Sequence, residues 1–146
     1  MDEADLRARN ATYRRFVELG RAPSPAEVAA ELGTGEAEVA AAWRRLHDGH
    51  ALVLDRAGGL LMAHPFSAVP TAYRVQAAGR SWFANCAWDA FGVCAALHAD
   101  GDVESACPDC GDPIAFGVRD GRPTDGSLRF HCLVPAAHWW DDIVHT

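Results

Sequence analysis

No apolar run in the chain approaches the ~20 residues that a membrane helix needs. The N-terminus, Met1-Asp2-Glu3-Ala4-Asp5, is acidic and lacks the apolar core of a secretory signal. Both absences point to a cytoplasmic protein with no membrane partner. Basic charge is also short. The 13 Lys and Arg face 20 Asp and Glu, a formal net charge of -7. That field opposes phosphate and argues against nucleic acid as a partner. The first 85 residues hold no cysteine. The five present, Cys86, Cys94, Cys107, Cys110 and Cys132, are odd in number. In a cytosolic chain this argues against a disulfide framework and for thiols that bind, react or pack. Internal repeats and low-complexity tracts are missing too.

What is present is an ordinary globular composition, with 49% hydrophobic and 23% charged residues over 146 positions. That length builds one compact domain or two small lobes sharing a core. The chain divides into residues 1–64, an extended linker at 65–72 flanked by Pro65 and Pro70, and residues 73–146. Three helices are predicted in the first part. The first runs from about Ala4 to Leu19 and stops at Gly20. The second opens on Ser24-Pro25-Ala26-Glu27, a capping box with proline at the first helical position. The third runs from about Gly35 to His47. A hairpin of Ala51–Leu54 and Leu60–Met62 follows. Three helices and a hairpin make a winged-helix-like head. Its second and third helices would form the helix-turn-helix. The recognition helix would begin Gly35-Glu36-Ala37-Glu38, which brings carboxylates to where bases and phosphates should lie. This points to a structural head.

The second part reads as α+β, a small, mostly antiparallel sheet with one prominent helix. Strands are expected at Tyr73–Ala77, Ser81–Ala84, Val103–Cys107, Ile114–Val118 and Leu128–Val134. The helix is expected from Cys86 to Leu97, capped by Asn85.

Three constellations carry chemistry. In Asn85-Cys86-Ala87-Trp88-Asp89, the thiol sits at a helix start and Asp89 lies three residues on, on the same face. The helix end favours a thiolate, while the nearby carboxylate raises the thiol pKa. The pair suits deprotonation triggered by a metal. The bland alternative is a packed cysteine and a helix-favouring Asp. In Cys107-Pro108-Asp109-Cys110-Gly111, two thiols flank a tight turn with the form of a metal knuckle. A structural zinc there would need two further ligands from His131, Cys132 or Cys86. Otherwise the segment is a turn. In Phe130-His131-Cys132, strand alternation would send His131 and Cys132 to opposite faces, so one of them points into a given site. Cys94, in an apolar helical stretch, reads as core. The aromatic pair Trp139-Trp140 reads as packing or a subunit contact.

The order of these parts resembles the organomercurial (alkylmercury) lyases. The most specific match is Trp82-Phe83-Ala84-Asn85-Cys86-Ala87-Trp88-Asp89-Ala90. Ser105-Ala106-Cys107, Pro113, Phe130 and Cys132 follow in order. The resemblance implies protonolytic cleavage of a carbon–mercury bond by two cysteines and an aspartate, with no resident cofactor. It places Cys86 and Asp89 in two of those roles and Cys132 in the third. It implies mercury(II) as product, a small organometallic substrate, and cellular thiols that remove the product. Cys107 matches a family cysteine assigned to structure. The family has a Phe-Cys pair where this chain has Phe130-His131-Cys132. Its chains are generally longer, and the Cys107-x-x-Cys110 pair is not a general family feature. Two other readings remain. One is a winged-helix zinc or mercury sensor using Cys107, Cys110 and Cys132. The other is an enzyme for a non-mercury substrate on the same scaffold.

Overall fold

The computed structural model describes residues 1–144. Three helices lead. They are α1 (Glu3–Leu19), α2 (Pro25–Leu32) and α3 (Glu36–Asp48). Asp2 caps α1 through the Asp5 N–H, and Gly20 ends it in the left-handed conformation with φ 69°. The capping box of α2 closes as its sequence requires. The Glu27 N–H donates to Ser24 Oγ at 3.2 Å, and the Ser24 N–H donates to Glu27 Oε2 at 2.8 Å. Inside the trio, Trp43 Nε1 donates to the Thr12 hydroxyl, which donates to the Ala8 carbonyl. Arg45 pairs with the buried Asp5 at 2.7 Å, so this cation of α3 is already engaged.

Eight short strands follow, with one helix between the fifth and the sixth. They are β1 (Val53–Leu54), β2 (Leu60–Ala63), β3 (Phe66–Ser67), β4 (Tyr73–Ala77), β5 (Arg80–Ala84), β6 (Gly101–Ala106), β7 (Pro113–Arg119) and β8 (Arg122–Pro123). The helix is α4 (Ala87–Leu97). All pairings are antiparallel, in the order β1-β2-β3-β5-β4-β6-β7-β8. The fold is thus α+β, with a helical head and a mostly antiparallel sheet carrying one prominent helix. The β4–β5 hairpin turns through Ala78 and Gly79, both at positive φ, which matches the right-handed twist of its strands. Trp82, Val75, Val103 and Phe116 are paired in turn across four strands, and α4 covers this side with Ala90, Val93 and Cys94.

Two expectations give way. Residues 65–72 are not simply extended, because Phe66–Ser67 pairs with both β2 and β5. Phe66 is 1% exposed and packs against Phe16 of α1 and Trp82 of β5, at ring centroid distances of 5.2 and 6.1 Å. The prolines restrict the local backbone, but burying an aromatic ring outweighs any gain from leaving the segment free. Second, Leu128–Val134 is not a strand. The last strand, β8, ends on Pro123, and Thr124 makes the last bonds to β7, its N–H donating to the Gly117 carbonyl at 2.8 Å and its hydroxyl accepting from the Gly117 N–H at 2.9 Å. Beyond it the chain uses local hydrogen bonds, with the Ser127 N–H and hydroxyl donating to Asp125 Oδ1 and Arg129 donating to neighbouring carbonyls.

Phe66→Ala is expected to cost about 3–5 kcal/mol of stability, as large aromatic-to-alanine core changes do. Urea unfolding followed by tryptophan fluorescence and far-UV circular dichroism checks it. Both signals should shift together, since one core serves both parts. Two separated transitions would contradict a shared core.

Candidate functional site

Cys86 is held at the junction of β5 and α4. It occupies the N-cap of α4 with extended backbone (φ -152°, ψ -178°). The expected cap, Asn85, is used elsewhere. Its amide Nδ2 donates to Asp89 Oδ2 at 2.9 Å and lies 3.3 Å from His64 Nδ1 and 3.4 Å from the Pro65 carbonyl. Three acceptors surround that nitrogen, which fixes the orientation of the amide. Asn85 Oδ1 is buried without a partner. Gly92 lets α4 approach this corner, because a Cβ there would stand 2.9 Å from Pro65 Cβ. Tyr13 of α1 completes the anchor by donating its hydroxyl to the His64 carbonyl at 2.9 Å.

Burial pushes the half-buried Cys86 thiol above its ordinary range, and the Asp89 charge adds to this. The N–H groups of Asp89 and Trp88 act in the opposite direction, but no cap hydrogen bond to the sulfur closes. The thiol therefore keeps its proton at neutral pH.

Cys86 and Asp89 line a cavity of about 230 Å³. Its walls also include Tyr73, Asn85, His131, Cys132 and Trp139. The volume is that of roughly seven or eight waters at ~30 Å³ each, which suits a small guest. Cys132 is exposed and donates its S–H to the Val134 carbonyl at 2.9 Å, so it is not the small core residue that a strand would have made it. His131 and Cys132 both face this cavity. Without strand geometry, nothing forces them to opposite sides. Trp88, 63% exposed, and Phe130 stand 6.3 Å apart at the rim. Trp140 stacks on His50 at 4.2 Å and leans on His64, tying the C-terminal segment to the head. Cys94 is buried.

Cys107 and Cys110 lie outside this cavity. Backbone N–H groups of Cys110 and Asp109 hold the Cys107 thiol below the usual range, while the neighbouring Cys107 raises Cys110. Among the described residues, no group of three or more His, Cys, Asp or Glu is placed to hold a metal. The two further zinc ligands anticipated for the knuckle are therefore not assembled beside it.

Long-range partners were the part hidden from sequence. His64 and Tyr73 reach the site from distant segments, and no local pattern marks them. The role of Asn85 as the partner of Asp89 was hidden by its preference for helix caps.

Iodoacetamide mapping of the reduced protein at pH 7 should label Cys107 faster than Cys86. Labelling of Cys86 should climb only as pH passes the ordinary thiol range. Its raised folded pKa also means that its share of stability is present below the unfolded thiol pKa and is lost as pH rises through the folded value. Equal rates for the two thiols at pH 7 would contradict the environments described.

The profile of the alkylmercury lyase family matches residues 66–146. A crystal structure of the mercury-bound form of MerB2 superposes with a TM-score of 0.66 at 25% sequence identity. The alignment covers 86% of this chain and 60% of that one, so the chain spans less than two thirds of that protein's length. No curated protein matches significantly. No helix among the described residues is long and apolar enough to cross a membrane. With more than half of its residues under the family profile, the chain belongs to the alkylmercury lyase family.

Proposed function

We propose that the protein cleaves carbon–mercury bonds by protonolysis, with Cys86, Asp89 and Cys132 as its catalytic residues. The observation that carries this reading is that Cys86, Asp89 and Cys132 line a single small cavity. Mercury(II) is soft and prefers thiolate to oxygen or nitrogen ligands. Its arrival at Cys86 supplies what the buried resting thiol lacks, a positive charge that makes loss of the proton favourable. Asp89, beside it, receives that proton. Cys132 adds a second sulfur, which raises electron density along the carbon–mercury bond. Asp89 returns the proton to carbon as general acid. The bond's electron pair becomes the new carbon–hydrogen bond, and mercury(II) stays on the two sulfurs. The Cys132 proton leaves to solvent, so one monocationic organomercurial and two thiols give one hydrocarbon, one mercury dithiolate and one proton. Cellular thiols then remove the mercury. The reaction calls on no resident cofactor.

Asn85 is a positioning residue in this scheme. Its N–H holds one Asp89 oxygen, in a carboxylate close enough to raise the Cys86 thiol. A hydrogen bond to a charged group contributes about 1.5–3 kcal/mol, so Asn85→Ala should lower kcat by roughly 10- to 100-fold. KM should change little, because Asn85 binds no part of the mercury.

Purified protein with phenylmercury and excess thiol should release benzene, measured by gas chromatography. Cys86→Ser should reduce it to background. Asp89→Asn should lower the rate by about 10²–10⁴, the usual share of a general acid. No benzene above the Cys86→Ser control would sink the proposal.

A further inference from the structure

Cys107 and Cys110 take no part in the chemistry above, yet both are accessible, Cys107 half-buried and Cys110 exposed. They flank the turn between β6 and β7. The Gly111 N–H donates to the Cys107 carbonyl at 2.9 Å, and the Cys107 N–H donates to the Asp112 carbonyl at 2.8 Å. A turn closed from the fifth residue back to the first is helix-like. It brings positions three apart to one side, so the two thiols share a face. Cys107 also lines a second cavity, of about 430 Å³. That cavity and the one holding Cys86 have Tyr73, Ala87, Phe130 and His131 as common walls. Cys107 thus lies across the Phe130–His131 partition from the Cys86 cavity, with Cys110 beside it on the turn. A closed zinc site takes four ligands. Among the described residues, no third ligand joins this pair. Two thiolates alone satisfy a different cation, one that is soft and two-coordinate.

We infer that Cys107 and Cys110 form a second soft-metal site, a chelating dithiol that takes inorganic mercury(II) from the Cys86 cavity. Binding at this site is independent of bond cleavage. Transfer to it rests on the cleavage reading given above. The exchange balances without an outside reagent. Mercury's bonds to Cys86 and Cys132 break as bonds to Cys107 and Cys110 form. The two protons displaced from the knuckle return to Cys86 and Cys132. Mercury stays divalent, and nothing is oxidised or reduced. The first site is freed for a second substrate before any cellular thiol acts. Chelation makes the second bond intramolecular, so the pair outcompetes single thiols of modest concentration.

The full chain serves for the test. Cys86→Ser protein is loaded with mercury(II) chloride, washed with about a tenfold excess of glutathione, and weighed by native mass spectrometry. One mercury per chain should remain, and Cys86→Ser/Cys110→Ser should retain about tenfold less, because the chelate is gone. Equal retention by both proteins, or retention by neither, overturns the site. A second readout follows transfer, as benzene released from phenylmercury with no thiol added. The parent chain should release two benzenes and Cys110→Ser one. One from each overturns the transfer. None from either sinks the cleavage reading instead, while mercury retention still decides the dithiol.

Discussion

Burial of the Phe66 ring between Phe16 of the first helix and Trp82 of the sheet ties the molecule together. A contact of this size removes enough apolar surface to outweigh the entropy of fixing a short, proline-flanked segment. Its consequences run outward along the chain. With Phe66 fixed, Pro65 meets the bare face of Gly92, and His64 meets both Tyr13 and Asn85. Helix α4 is thereby pinned at its N-terminal half, where Cys86 and Asp89 stand. The helical head, whatever else it does, serves as the wall against which the site is built.

The site works against its own resting charge. A helix start would favour a thiolate, but partial burial and the Asp89 carboxylate hold the Cys86 proton in place. A thiol kept neutral is protected from adventitious alkylation and oxidation, both of which need thiolate. On the proposed reading, the thiol becomes a nucleophile when a thiophilic cation arrives. Cys107 has the opposite character, since backbone N–H groups favour its thiolate. The two thiol environments in one small domain are therefore opposite in character, as the proposed division between reaction and capture requires.

Local physics was legible in the sequence. The Ser24–Glu27 capping box and the Gly20 stop each depend on residues within a few positions, and each formed. The placement of Cys86 and Asp89 at the start of α4 followed from the same kind of signal, with an error of one residue in the cap. That error is instructive. Asn85 has the better capping side chain, but Asp89, His64 and Pro65 compete for its amide from tertiary positions. Leu128–Val134 failed in another way. Its residues suit a strand, but beyond Thr124 no neighbouring strand pairs with them. Strand propensity without a partner does not make a strand. Phe66 was hidden for a related reason. Flanking prolines describe the backbone, whereas the burial of its ring depends on Phe16 and Trp82, 50 residues before it and 16 after.

Proposed cleavage requires that Cys86 and Cys132 share one soft-metal site with Asp89 in reach. It is tested most directly by an anomalous-difference map from crystals of the Cys110→Ser protein soaked in inorganic mercury. One peak is expected, bonded to both the Cys86 and Cys132 sulfurs and in contact with the Asp89 carboxylate. A peak on Cys86 alone, with Cys132 turned to solvent, would contradict it.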